Sequence, residues 1–90
     1  MQFEWDPKKS RANLRKHGVS FEDASTVFFD DLSLTGDDPD HSLDEDRFVI
    51  FGLSSMGHLL VVAYTERGKR IRIISARLMT GSERELYEEG

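Results

Sequence analysis

Leu59-Leu60-Val61-Val62-Ala63-Tyr64 is apolar at every position. A strand with one wet face alternates apolar and polar residues, because successive side chains point to opposite faces of a sheet. A strand with no polar position is therefore expected at the centre of a sheet, covered on both sides, with a partner chain as one possible cover. The flanking sequence completes a meander. Arg47 to Leu53 and Arg70 to Ser75 are rich in Val, Ile and Phe, types that suit a pleated surface. The separators Ser54-Ser55-Met56-Gly57 and Glu66-Arg67-Gly68-Lys69 have turn chemistry. Three antiparallel strands, 47–53, 59–65 and 70–75, are the expectation.

Towards the N-terminus, Phe3 and Trp5 alternate with Gln2 and Glu4, as in a short edge strand. Asp6 is a good N-cap and Pro7 suits the first helical position, where a missing N–H has no intrahelical partner to lose. A helix is expected over Lys8 to His17, stopped by Gly18. Ser20 with Asp23 three residues on has the form of a capping box, and Phe21, Ala24, Val27 and Phe28 recur at helical spacing, so a second helix is expected over 20–29. The stretch 30–46 carries turn formers and reads as a loop with one short strand around 32–35. Thr80 with Glu83 opens a C-terminal helix. The expected fold class is α+β, with a mostly antiparallel sheet of about four strands, two N-terminal helices and one C-terminal helix. Ninety residues suffice for one domain, 1–90.

Composition narrows the function classes. The chain has no cysteine, which removes disulfides and thiolate metal sites and fits a reducing compartment. No basic region followed by an apolar run opens the chain, and no apolar stretch approaches the ~20 residues that span a bilayer. A cytoplasmic protein without membrane contact is expected. The formal net charge is −5, which argues against a non-specific nucleic-acid coat. The charge is uneven, however: Asp37 to Asp46 and Glu83 to Glu89 are acidic, whereas Lys8 to Lys16 and Arg67 to Arg77 are mostly basic.

Those basic segments hold the candidate site residues. Lys9, Asn13 and Lys16 share a face of the first helix, with His17 about 100° further round. This stripe is either a solvated face or a phosphate-binding surface with a proton carrier, since histidine titrates near neutrality. Arg70 and Arg72 project to one face of the last strand, Arg77 lies just beyond it, and Arg47 opens the first strand of the meander. Guanidinium groups match phosphate through two parallel hydrogen bonds, and ion pairing with the acidic loop is the alternative. Tyr64 and Tyr87 are candidates for stacking on bases or for core positions. His41 and His58 read as surface residues. The acidic loop from Asp37 to Asp46 lacks the spacing of a dedicated calcium site, and neither a metal nor another cofactor is called for.

The segment Phe3-Glu4-Trp5-Asp6-Pro7-Lys8-Lys9, followed by Asn13-Leu14-Arg15-Lys16-His17-Gly18-Val19-Ser20-Phe21-Glu22-Asp23-Ala24, resembles the opening signature of the BrnT toxins. Asp46-Arg47-Phe48, Gly52, Tyr64, Arg72-Ile73-Ile74-Ser75-Ala76-Arg77, Glu83-Arg84 and Tyr87 follow in the order and spacing of that family, so the resemblance covers essentially the whole chain. It implies a RelE-like fold and the toxin half of a bacterial type II toxin-antitoxin pair, a metal-independent endoribonuclease that blocks translation. It also implies a hetero-oligomer with a BrnA-like antitoxin carrying a ribbon-helix-helix-like DNA-binding domain, operator DNA being touched only through that antitoxin. RNA would be cleaved by attack of its 2′-hydroxyl. His17, Arg47, Arg72 and Arg77 are then the expected catalytic residues, and Lys9, Lys16, Tyr64, Arg70 and Tyr87 the expected RNA-binding residues. Leu78-Met79 departs from the family pattern, which commonly has a lysine and a small residue there. Two alternatives stay open: a non-catalytic binding module, and an inactive toxin kept for partner assembly and autoregulation.

Overall fold

β4 (Leu59–Arg67) is the middle strand of a five-stranded sheet in a computed structural model that describes residues 1–39 and 46–90. The other strands are β1 (Gln2–Glu4), β2 (Leu34–Asp37), β3 (Phe48–Leu53) and β5 (Arg70–Leu78), in the order β1-β5-β4-β3-β2. Helices are α1 (Pro7–His17), α2 (Phe21–Ser25), continued by a 3-10 turn over Thr26–Phe29, and α3 (Gly81–Glu89).

Three expectations need correction. The sheet has five strands instead of about four, and it is mixed, because β1 runs parallel to β5 while the other pairs are antiparallel. The short strand expected around 32–35 is the polar edge strand β2, displaced by two residues, and it makes the fifth strand of the sheet: an edge strand needs no apolar alternation, so Leu34-Thr35-Gly36-Asp37 marks its bounds only weakly. The segment 20–29 is not one α-helix but a five-residue helix tightening into the 3-10 turn. Finally, β5 runs three residues past Ser75. The register slips at Ala63/Tyr64, where Tyr64 faces Ile73 and Ala63 faces Ser75, so Ile74 is the extra residue of a β-bulge. Arg77 therefore lies inside the strand, opposite Val61.

The two faces of the sheet differ in chemistry. One buries Ile50, Leu60, Val62, Tyr64, Ile73 and Ala76 against Phe21, Ala24 and Val27 of α2 and its 3-10 turn, with Val19 just ahead of α2. Phe28 stacks edge-on to Tyr64 at 4.9 Å between ring centroids, Phe3 lies 5.2 Å from Phe28, and Trp5 packs edge-on to Phe21 at 5.9 Å. The 3-10 turn comes so close to β3 that a Cβ on Gly52 would stand 3.1 Å from Val27 Cβ and 3.2 Å from Val27 O, which explains the glycine.

α1 is attached differently. Its ends are set by Asp6, which accepts a hydrogen bond from the Lys8 N–H at 2.8 Å, and by Gly18 at φ 70°, a left-handed stop. Asn13 is the only residue that α1 buries. Its Nδ2 donates to Val19 O at 3.0 Å and to Ala76 O at 2.8 Å, while its Oδ1 accepts from the Ala76 N–H at 3.1 Å. Beyond Arg72, β5 has no β1 residue beside it. The Asn13 amide takes the place of a neighbouring strand there, satisfying backbone groups that a bare edge would leave unpaired.

Candidate functional site

Strand alternation assigns the arginines to the face opposite the α2 core. On β5, Arg72 pairs with Thr65, and Arg77 with Val61, both partners alternating with the buried Tyr64 and Val62. Arg70 precedes Arg72 by two and shares its face. Arg47 stands two residues before Val49 and so lies on that face too. Its carbonyl extends the β2–β3 ladder by accepting from the Asp38 N–H at 3.0 Å, and Thr65 Oγ1 donates to the neighbouring Asp46 carbonyl at 2.7 Å.

This face holds a groove of about 250 Å³. Val49, Phe51, Val61 and Ala63 form an apolar floor, and Asp38, Pro39, Ser75, Arg77 and Glu83 form the rim. The Arg77 guanidinium grips Glu83 with both ends, Nη1 to Oε1 at 2.7 Å and Nη2 to Oε2 at 2.9 Å, and its Nη1 also reaches Leu78 O at 3.2 Å. Glu83 accepts in addition from the Thr80 N–H at 2.8 Å, which makes it both the N3 residue of the α3 capping box and the partner of Arg77. The guanidinium hydrogen bond, with help from that cap, holds the Glu83 carboxyl at a pKa of about 2. The same pairing raises the pKa of Arg77.

The other arginines are separated from it. Arg72 donates to Glu4 Oε2 at 2.7 Å, and Arg70 lies 3.6 Å from Glu4 Oε1. The Arg72 hydrogen bond, followed by the charges of Arg72, Arg70 and Arg67, keeps the Glu4 carboxyl below its ordinary pKa despite some burial. Because of the bulge, Arg72 and Arg77 face β4 residues only four apart, Thr65 and Val61, so at ~3.3 Å per residue they are roughly 13 Å apart, and their carboxylate partners draw them towards opposite ends. One phosphate cannot bridge both as they stand; successive phosphates of a strand can.

α1 divides its candidates between two sides. Asn13 aims at the edge of β5, and Leu14, 100° round, lines a cleft with Val19 and Asp23 on the α2 side. Lys9 and Lys16 lie ~40° and ~60° round the other way, towards the arginine face, and both are exposed. His17 falls ~40° round on the Leu14 side and is half-buried. Among the described residues, none of α1 lines the groove.

The two tyrosines are structural in their contacts. Tyr64 is 6% exposed inside the core, so its ring is not presented to a ligand. Burial, then the charge of Glu66, raises its pKa. Tyr87 donates to Asp30 Oδ2 at 2.6 Å, ties α3 to the end of the 3-10 turn, and has its pKa raised to about 12 by that bond. Asp30 is pushed up by burial, but hydrogen bonds from Tyr87 and the Leu53 and Leu32 N–H groups prevail and leave it lowered. His41 and the acidic stretch 40–45 lie outside the described residues. Among those described, no three His, Asp or Glu side chains gather as metal ligands.

Sequence reasoning missed one cluster. His58 Nδ1 lies 2.8 Å from Asp23 Oδ2, which also accepts from Ser54 Oγ at 2.9 Å, while Asp23 Oδ1 is buried without a partner. The cluster borders an apolar cleft of about 410 Å³ between Leu14, Val19 and Met56. Asp23 is separated from Ser54 and His58 by more than thirty residues, so no local spacing could have announced it.

The fold and groove thus define a small α+β protein carrying a guanidinium over a sheet face that α2 leaves uncovered. The chain belongs to the BrnT family of ribonuclease toxins of type II toxin-antitoxin systems, whose family model matches residues 5–83. Among solved structures, the 1.1 Å crystal structure of the Brucella abortus ribonuclease toxin BrnT is similar, with a TM-score of 0.64 and 23% sequence identity over 89% of this chain and 97% of that one. That likeness concerns the fold. No curated protein sequence matches the chain. Among the described residues, no helix is long and apolar enough to cross a membrane.

Proposed function

We propose that the chain cleaves single-stranded RNA on the arginine-bearing face of its sheet, by attack of a 2′-hydroxyl on the adjacent phosphate and without a metal, and that translation stops as a result. One observation carries this reading: alternation along β5 brings Arg70, Arg72 and Arg77 to one face of the sheet, where Arg77 borders an apolar floor that includes Phe51. Unstacked bases favour such a floor, and guanidinium groups favour the phosphates between them. Arg77, beside Ser75 in the groove, is the group that stabilises charge gathering on the scissile phosphate. Arg72, Arg70 and Arg47 hold neighbouring phosphates, and Lys9 and Lys16 extend the cationic rim. Glu83, held near a pKa of 2, is a weak base at neutral pH. The neutralising partner is a BrnA-like antitoxin with a ribbon-helix-helix-like domain, through which the pair reaches operator DNA.

The test is cleavage of a labelled single-stranded RNA by the purified chain in the presence of a chelator. Products ending in a 2′,3′-cyclic phosphate are expected, a 2′-deoxy nucleotide at the cut site abolishes cleavage, and Arg77→Ala lowers kcat about 10²- to 10³-fold. Cleavage by Arg77→Ala at the parental rate would remove the groove from the mechanism.

A further inference from the structure

In the free chain, the fork of Arg77 is occupied by a carboxylate whose two oxygens stand where two phosphate oxygens would stand. The remaining attachments of this rim are slight. α3 buries none of its residues, and beyond the Arg77 pair it is tied down by the hydrogen bond of Tyr87 to Asp30. Glu83 sits in the first turn of α3, so a rotation of its side chain alone vacates Arg77. Three of the five guanidinium N–H groups are engaged, by Glu83 twice and by Leu78 O. The end-on fork of Nη1 and Nη2 is the one that Glu83 fills, so a phosphate that takes this fork must displace Glu83, while the side-on pair of Nε–H and Nη2–H stays open.

We propose that Glu83 is a built-in competitor for the phosphate seat on Arg77: it holds the guanidinium in place in the free toxin and is displaced when a nucleic-acid phosphate binds. This rests on the reading of Arg77 as a phosphate-binding residue. It assigns Glu83, outside any part in proton transfer, the job of setting the affinity of the groove. It also explains why an acidic residue is placed at the rim of a cationic site, where a simple structural cap would not need to face an arginine.

Glu83→Gln separates the two jobs of the side chain. Glutamine at N3 still satisfies a capping box, so α3 keeps its start, while the charge that competes for Arg77 is removed. The probe is a fluorescent thymidine oligonucleotide, which lacks the 2′-hydroxyl and is not cleaved. Binding is measured by anisotropy at neutral pH for the parent, Glu83→Gln, Arg77→Ala and the double variant. Glu83→Gln is expected to bind about fivefold tighter than the parent, the scale of one partly exposed ion pair at the strong end of its range. In the Arg77→Ala background the same change is expected to have no effect, because the seat is gone. Equal tightening in both backgrounds would mean that Glu83 acts only as a distant negative charge, and no tightening in either would make the pair a structural clasp; each overturns the proposal. If Arg77→Ala alone leaves binding at the parental level, the underlying reading of Arg77 fails, an outcome distinct from these two.

Discussion

Asn13→Ala tests how a helix without an apolar face is held to the sheet. Apart from Ala12 and Leu14, the first helix from Lys8 onward is polar or charged, and Leu14 is 51% exposed. Burial of apolar surface therefore does little for α1, and the Asn13 amide carries the attachment. Removing it strands the Val19 and Ala76 carbonyls and the Ala76 N–H, all paired with Asn13 in the native state. Each unsatisfied buried group costs ~1–3 kcal/mol. Because water can reach an open strand edge, the expected total is about 3–5 kcal/mol rather than the full sum. A chain of this length has roughly 5–13 kcal/mol of stability in all, so the midpoint of thermal unfolding should fall by ~12 °C or more. Urea unfolding followed by the fluorescence of Trp5, which packs on Phe21, measures the loss directly. Asn13→Asp should be at least as harmful near neutral pH, since it sets a carboxylate against two carbonyls. Lys16→Ala, on an exposed part of the same helix, should stay within ~0.5 kcal/mol of the parent. A loss below 1 kcal/mol for Asn13→Ala would refute this account.

Acid stability should carry the mark of Glu83. Its carboxyl is held at a pKa of about 2 in the fold, down from an ordinary 4.5, so the contribution of the pair is complete above pH ~4.5 and disappears as pH falls towards 2. The difference corresponds to at most ~3.4 kcal/mol. With Arg77 43% exposed, screening reduces this to about 1 kcal/mol, and Glu83→Gln should flatten the unfolding free energy measured against pH over that window. Tyr87→Phe removes the hydrogen bond to Asp30 and should lower stability by ~1–2 kcal/mol, read by urea unfolding, with RNA cleavage changed less than threefold if Tyr87 is only a tether. His17→Ala should leave kcat for RNA cleavage within a factor of about three, because His17 lies on the α2 side of α1; a drop of 10²-fold or more would return it to the chemistry.

Much of the architecture was legible because burial writes itself into strands. The all-apolar run of β4 announced a central strand, and Asp6, Gly18, Ser20 and Thr80 marked helix ends through chemistry confined to a few residues. What escaped depends on long-range partners. Asn13 looks like one polar position among cations, and nothing local reveals that the β5 edge lies bare beside it. The bulge at Ile74 cannot be read from a run of Ile and Arg, yet it decides that Arg77 shares the face of Arg72 within a continuous strand. Of the expected site residues, the arginines were recognisable by type, whereas their separation along β5 and their carboxylate partners came only with the fold. Tyr64 was open to two readings, and its buried ring favours the core.

A net charge of −5 is compatible with RNA binding because alternation brings Arg70, Arg72 and Arg77 to one face of β5, where Arg77 borders the apolar floor. The number of cations involved sets a measurable quantity. Each phosphate neutralised on a single strand contributes about −0.7 to the slope of log affinity against log salt. Arg47, Arg70, Arg72 and Arg77 together give a slope of about −2.8, and with Lys9 and Lys16 about −4.2. Between 50 and 200 mM salt, oligonucleotide affinity should then fall about 50- to 340-fold. Arg72→Ala should make the slope shallower by about 0.7, while Arg15→Ala, on the outer side of α1, should leave it unchanged. A parental slope shallower than −1 would mean that the arginine face does not hold the phosphate backbone, whatever the cleavage assay shows.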